Sequence, residues 1–93
     1  MIVITGRFEL LPEKRDEFVA LAKELVPRER TTPGCLNFDI FEDITTPNRF
    51  LMLEEWESSE ALEAHTATEE FARNEAAMSG IFIGEPIWNQ YEL

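Results

Sequence analysis

The stretch Glu54–Phe71, EEWESSEALEAHTATEEF, concentrates the side chains able to move a proton. It holds the single histidine of the chain, His65, and one of its two tryptophans, Trp56, among carboxylates and without a Lys or Arg. Histidine is the one side chain whose ordinary pKa suits a base near neutrality. The competing reading is a histidine that ends a short helix and bonds a backbone carbonyl. Alternation along RFLMLEEWE puts Phe50, Met52, Glu54 and Trp56 on one strand face. A carboxylate on so apolar a face needs a partner or a raised pKa, so Glu54 is a candidate to orient His65. Trp56 reads as core or as a stacking surface. Leu62 shares the inward helix face of His65, and Asn37 offers a neutral donor if its strand turns it toward the helices. The catalytic candidates are His65, Trp56 and Glu54. The candidates for substrate contact are Asn37, Phe50, Met52, Leu62 and Phe71.

The elements that must position these groups follow from periodicity. IVITGRFEL alternates as a first strand, with Gly6 on one face and Arg7 on the other. From about Glu13 the spacing of Phe18, Leu21, Ala22 and Leu25 is helical. Pro27 is expected to end or kink that helix near Leu25 or Val26. TTPG turns the chain into a second strand, CLNFDIFED, with Leu36, Phe38 and Ile40 expected on one face. ITTPN then returns it into a third strand, paired as a hairpin. Ser58 or Ser59 caps a helix running to about His65. TATE is a capping-box pattern, so Thr66 is expected to start a further helix that Gly80 stops. IFIGEP reads as a short strand or an ordered loop, and PIWNQYEL as the last strand. The order β-α-β-β-α-β predicts a ferredoxin-like α+β fold, one antiparallel sheet with helices on one face, in a single domain. The other face still carries apolar residues, which predicts a second copy of the chain as its cover, a homodimer.

Composition narrows the partners. A net charge of −11 makes nucleic acid and anionic membrane surfaces poor ones. Cys35 is the only cysteine, so no internal disulfide forms and nothing points to an oxidising compartment. The N-terminus reads as a strand, not a signal peptide, and no apolar run approaches membrane-helix length. The cytoplasm is the expected location. One His and one Cys supply no metal site, and no Gly-rich phosphate loop or serine elbow is present.

Three segments resemble the antibiotic biosynthesis monooxygenase (ABM) domain family of dimeric α+β barrels. MIVITGRFELLPEKRDEFVALAKEL is similar to the family's opening, and PGCLNFDIFED to its second strand. EEWESSEALEAHTATEEF carries the most characteristic feature, a Trp ending the third strand and a His nine residues later. That segment is most similar to the quinol monooxygenase branch, credited with oxidising quinols or polycyclic phenols with O2 and without metal, haem or flavin. The resemblance therefore implies Trp56 and His65 as site residues, no cofactor, and a small aromatic substrate with O2 as partners. Haem-degrading relatives use positions that correspond to Gly6, Trp56 and Glu75, of which only the Trp is kept. The alternatives are an isomerase of the autoinducer-2-processing type, or a non-enzymatic dimeric barrel binding a small aromatic ligand. A phosphorylated substrate would need a basic pocket, and Arg7, Arg49 and Arg73 are scattered.

Overall fold

A computed structural model describes all residues, 1–93. Strand β1 (Ile2–Leu10) leads through a 3-10 turn at Pro12–Lys14 into helix α1 (Arg15–Glu29). Strands β2 (Cys35–Glu42) and β3 (Arg49–Trp56) follow as a hairpin. Helices α2 (Ser59–Thr66) and α3 (Glu69–Met78) precede strand β4 (Phe82–Glu92). The sheet order is β2-β3-β1-β4, with every neighbouring pair antiparallel. This is the expected ferredoxin-like α+β arrangement, with the second helical segment split in two.

The core lies between the sheet and α1. Phe8, Leu10, Phe18, Phe38, Phe50, Met52 and Ile81 form one buried cluster. Phe18 meets Phe8 and Phe50 edge-on at ring-centroid distances of 5.4 and 5.1 Å, a favoured aromatic geometry. Phe50, one of the residues expected to touch substrate, is consumed by this core.

Three local expectations are corrected. Helix α1 does not stop at Pro27 but runs on to Glu29 with the proline inside it. Pro27 and Lys23, whose carbonyl loses its helical partner, are both exposed, so water satisfies what the ring cannot. Arg30 pins the extended end: its Nε donates to the Phe38 carbonyl at 2.9 Å and its Nη2 to Asp39 Oδ1 at 2.7 Å. The second correction is in β2, where a bulge between Cys35 and Asn37 shifts the register. It leaves Leu36 exposed while Cys35 and Phe38 turn toward the core. The third is the start of α3. Its cap is Thr68, whose Oγ1 accepts from the Phe71 N–H, and Thr66 instead closes α2. Of the two readings of IFIGEP, a short strand or an ordered loop, the strand holds: β4 begins at Phe82 and crosses a register shift opposite Arg7 and Glu9.

Gly34 sets how closely β2 approaches α2. Its φ is +82°, and a Cβ there would stand 2.4 Å from the Cβ of Ala61. Its carbonyl accepts from the Glu57 N–H at 2.9 Å, just before the helix that carries His65. Both the left-handed backbone and the contact exclude a side chain. We expect Gly34→Ala to lower the unfolding free energy by about 2–4 kcal/mol, read by urea denaturation. A loss below about 0.5 kcal/mol would show that α2 moves away freely.

Candidate active site

His65 occupies the last turn of α2 and is only 8% exposed. Ser58 caps this helix by accepting the Ala61 N–H, which fixes where the eight-residue segment begins and so where His65 ends up. Trp56, fully buried at the end of β3, stacks on the imidazole at a centroid distance of 4.7 Å. Phe71 meets it edge-on at 5.3 Å. The ring is thus held between two aromatic groups, one from the sheet and one from α3. This desolvation lowers the His65 pKa from its ordinary value, against a smaller opposing pull from the Glu70 charge.

The group facing His65 is Glu29. Its Oε2 lies 3.2 Å from His65 Nε2, and the residue is 4% exposed. The two atoms are close without hydrogen-bond alignment, so Glu29 Oε2 is a buried acceptor with no hydrogen-bond partner. Oε1 accepts from the Asn74 side-chain amide at 3.4 Å. Burial pushes the Glu29 pKa up to about 7, and the Glu70 and Glu54 charges add to this; Arg28 opposes it. A buried carboxylate and a buried imidazole therefore approach each other in proton affinity. Burial moves each of the two groups toward its neutral form.

Glu54 shares the apolar strand face, as alternation predicts, and is buried. Burial raises its pKa, while a hydrogen bond donated by Trp56 Nε1 to its Oε1 at 3.1 Å works in the other direction. That bond orients the indole, not His65. The carboxyl that faces the imidazole comes from α1, which periodicity alone assigns to packing.

These groups open onto a cavity of about 380 Å³ between the sheet and α3. Glu29, Glu54 and His65 lie along it with Met52, Phe71 and Phe38; Trp88 and Phe82 contribute from β4. No Lys or Arg lines it. Of the expected contact residues, Met52 and Phe71 reach the cavity. Phe50 does not, being in the core. Leu62 is half-buried against the sheet side of α2 and does not line the cavity either. Asn37 is on the opposite sheet face, exposed, donating to Glu55 Oε1 at 3.0 Å, because the bulge fixes its orientation away from the helices. Trp56 backs His65 without touching the cavity itself. Burial raises the Cys35 thiol pKa, which makes it a poor nucleophile. No group of three His, Cys, Asp or Glu side chains stands at metal-ligand spacing.

Glu29 and Trp88 are the residues that sequence reasoning missed. The signal for Glu29 was present: it continues the buried stripe of Phe18 and Leu25 by one further helical turn. A carboxylate on that stripe is as informative as Glu54 on its strand.

Comparison with known proteins bears on what this cavity serves. Residues 1–77 match the family model described as antibiotic biosynthesis monooxygenase. The chain is 38% identical over 71 residues to the Bacillus subtilis protein named "Putative monooxygenase YcnE", covering 76% of this chain and 75% of that one. It is 37% identical over 70 residues to the uncharacterized protein sll1783 of Synechocystis, covering 75% of this chain but only 48% of that one, so it spans about half of that relative. Among solved structures, an antibiotic biosynthesis monooxygenase superposes with a TM-score of 0.89 at 30% identity, over 100% of this chain and 98% of that one. A conserved protein of Methanosarcina mazei gives 0.89 at 27% identity, over 97% and 89%. A match over most of the chain, at this level of identity and with the same fold throughout, places the protein in the antibiotic biosynthesis monooxygenase family.

Proposed function

We propose that the protein is a monooxygenase that oxidises a quinol or polycyclic phenol with O2, using the Glu29–His65 pair as its base. The observation that carries this reading is the approach of a buried carboxyl to a buried imidazole beside an aromatic cavity. For a quinol the reaction balances without another reductant. One ring C–H becomes C–OH, the quinol becomes the quinone, and the second oxygen atom leaves as water. The substrate supplies all the electrons, so the protein's task is to remove a phenolic proton and hold the electron-rich anion away from bulk water.

His65 takes the phenolic proton, and Glu29, once ionised, stabilises the imidazolium that forms. Trp56 keeps the ring in place, and its π-face favours the cationic form that appears only in the reaction. Phe38, Phe71, Phe82 and Trp88 surround the substrate with apolar surface. An isomerase acting on a phosphorylated substrate is disfavoured, since three carboxyl-bearing residues and no cation line the cavity. No helix is long and apolar enough to cross a membrane; we place the enzyme in the cytoplasm.

The active form is a homodimer. The sheet face away from the helices exposes Phe41, Ile83, Ile87 and Tyr91, each about half or more accessible, and nothing in the chain covers them. A second copy seated on this face buries all four. Light scattering after gel filtration is expected to give twice the chain mass. Ile87→Lys is expected to yield folded monomer; a monomeric wild type sinks this part of the reading.

The central test is oxygen uptake by metal-free protein offered a panel of quinols and anthrones. We expect uptake with at least one of them, falling about 100-fold or more in His65→Ala. No uptake above the chemical background across the panel would overturn the assignment.

Glu29 gives a second handle. Its carboxyl holds a proton more tightly in the fold than in the unfolded chain, so the associated stability is complete below about pH 4.5. It is lost as pH rises through about 7, by about 3 kcal/mol. His65 acts oppositely: its lowered pKa makes the fold less stable as pH falls below the ordinary imidazole value. Comparing wild type with Glu29→Gln isolates the first contribution. The variant is expected to gain stability relative to wild type between pH 4 and pH 8 by about that amount. In kcat/KM the wild type is expected to rise through about pH 7 as the pair loses its resident proton, and Glu29→Gln to lose that step. An unchanged profile in the variant would remove Glu29 from the base.

A further inference from the structure

Trp88 lines the cavity that also holds Glu29 and His65, and it is seated on Gly6 of β1. Trp88 pairs with Gly6 across β4 and β1. A Cβ on Gly6 would fall 2.4–2.7 Å from Cζ3, Cε3 and Cη2 of the indole. The six-membered ring of Trp88 therefore lies directly against the β1 backbone, in space that any side chain at position 6 would occupy. Yet Trp88 is 50% exposed, an unusual state for a tryptophan on the core side of a sheet. One side of the ring is seated on the strand and the remainder is open to the cavity it lines.

Across the gap stands α3. Phe71, Asn74, Glu75 and Met78 all line the same cavity, at the spacing of one helical face. None of the residues of α3 is buried, although this face points toward the sheet. Phe71, Asn74 and Met78 are half-buried and Met78 packs against the core cluster, so the helix meets the layer there and leaves the cavity beside that contact. Its charge is one-signed, with Glu29, Glu54 and Glu75 along it and no Lys or Arg.

We propose that Trp88, seated on Gly6, is the specificity-determining wall of this slot, and that it selects the flat ring of an uncharged aromatic ligand and rejects anionic ones. The inference rests on the proposed reaction for its orientation, since stacking on Trp88 presents a ring hydroxyl toward Glu29 and His65. The selection itself is a binding property and stands apart from turnover. Planarity is read by the indole face, because a puckered aliphatic ring of similar size loses the stacking contact. Charge is read by the carboxyl groups, because a ligand that enters as an anion is desolvated beside them without the imidazolium counter-ion that proton transfer to His65 supplies.

Titration calorimetry with three probes tests this: 1-naphthol, cyclohexanol and 1-naphthyl phosphate. Wild type is expected to bind 1-naphthol, and to bind the other two at least about 10-fold more weakly. Trp88→Ala and Gly6→Ala are each expected to weaken 1-naphthol about 10-fold, with Trp88→Phe staying within about 3-fold of wild type. Circular dichroism and thermal melting establish that each variant is folded; if Gly6→Ala is not, the two Trp88 variants decide the question. Absence of 1-naphthol binding to wild type overturns the proposal. So does binding that is indifferent to Trp88→Ala in a folded variant, or 1-naphthyl phosphate binding as tightly as 1-naphthol. Intact 1-naphthol selectivity combined with no oxygen uptake would instead sink the monooxygenase reading and leave this one standing.

Discussion

A carboxyl group buried 3.2 Å from a buried imidazole is the constraint on which the site depends. Taking Glu29 out of water costs several kcal/mol if it stays ionised and unpaired. The chain does not place a Lys or Arg against it. The one side-chain hydrogen bond of Glu29 is the amide contact from Asn74, with the His65 ring beside its other oxygen. Burial raises the Glu29 pKa and lowers that of His65, so it favours the neutral form of each. An uncharged imidazole beside a cavity is the form able to take up a proton, the role proposed for it above.

The acidity of the chain takes on a different meaning beside that pair. Most of its carboxylates are solvated and act only on solubility. Glu54 and Glu70 do more, because their charges add to burial in raising Glu29. Glu54 is itself held by the indole of Trp56, the same ring that stacks on His65. Trp56 therefore links one buried acid, Glu54, to the histidine without touching the cavity. Replacing it would disturb the stacking partner of the base and the orientation of a neighbouring carboxyl at once, so its effects on the two cannot be separated by truncation alone.

The fold was legible in the sequence because its signals are local. Changes of period marked each element, and the β-α-β-β-α-β order left few arrangements of the sheet. Half of the site was legible for the same reason. Strand alternation put Glu54 and Met52 on the right face, and the helix spacing turned His65 inward. The failures have particular physical causes. Pro27 is expected to end or kink α1, but an exposed proline removes one hydrogen bond on the solvent side, and Arg30 anchors the turn beyond it. Glu29 lies beyond that point, on the buried stripe of the same helix. Asn37 was lost to a bulge, which no alternation pattern encodes. Phe50 and Leu62 share a face with site residues, but whether a residue on that face meets core or cavity depends on how far α3 stands from the sheet.

That separation is the last element of the design. A ferredoxin-like sheet covered by three helices would bury its face completely if each helix packed down. Helix α1 does so through Phe18 and Leu25, whereas no residue of α3 is fully buried and only its Met78 packs against the core cluster. Forgoing that contact costs hydrophobic stabilisation in a chain of 93 residues with little to spare. The face of α3 remains apolar all the same, with Phe71 and Met78 aimed at the gap. An apolar surface left open on one side of a small core is one that a ligand completes. Ligand binding and folding then draw on the same surface, so an occupant that fits the slot raises the stability of the chain by mass action.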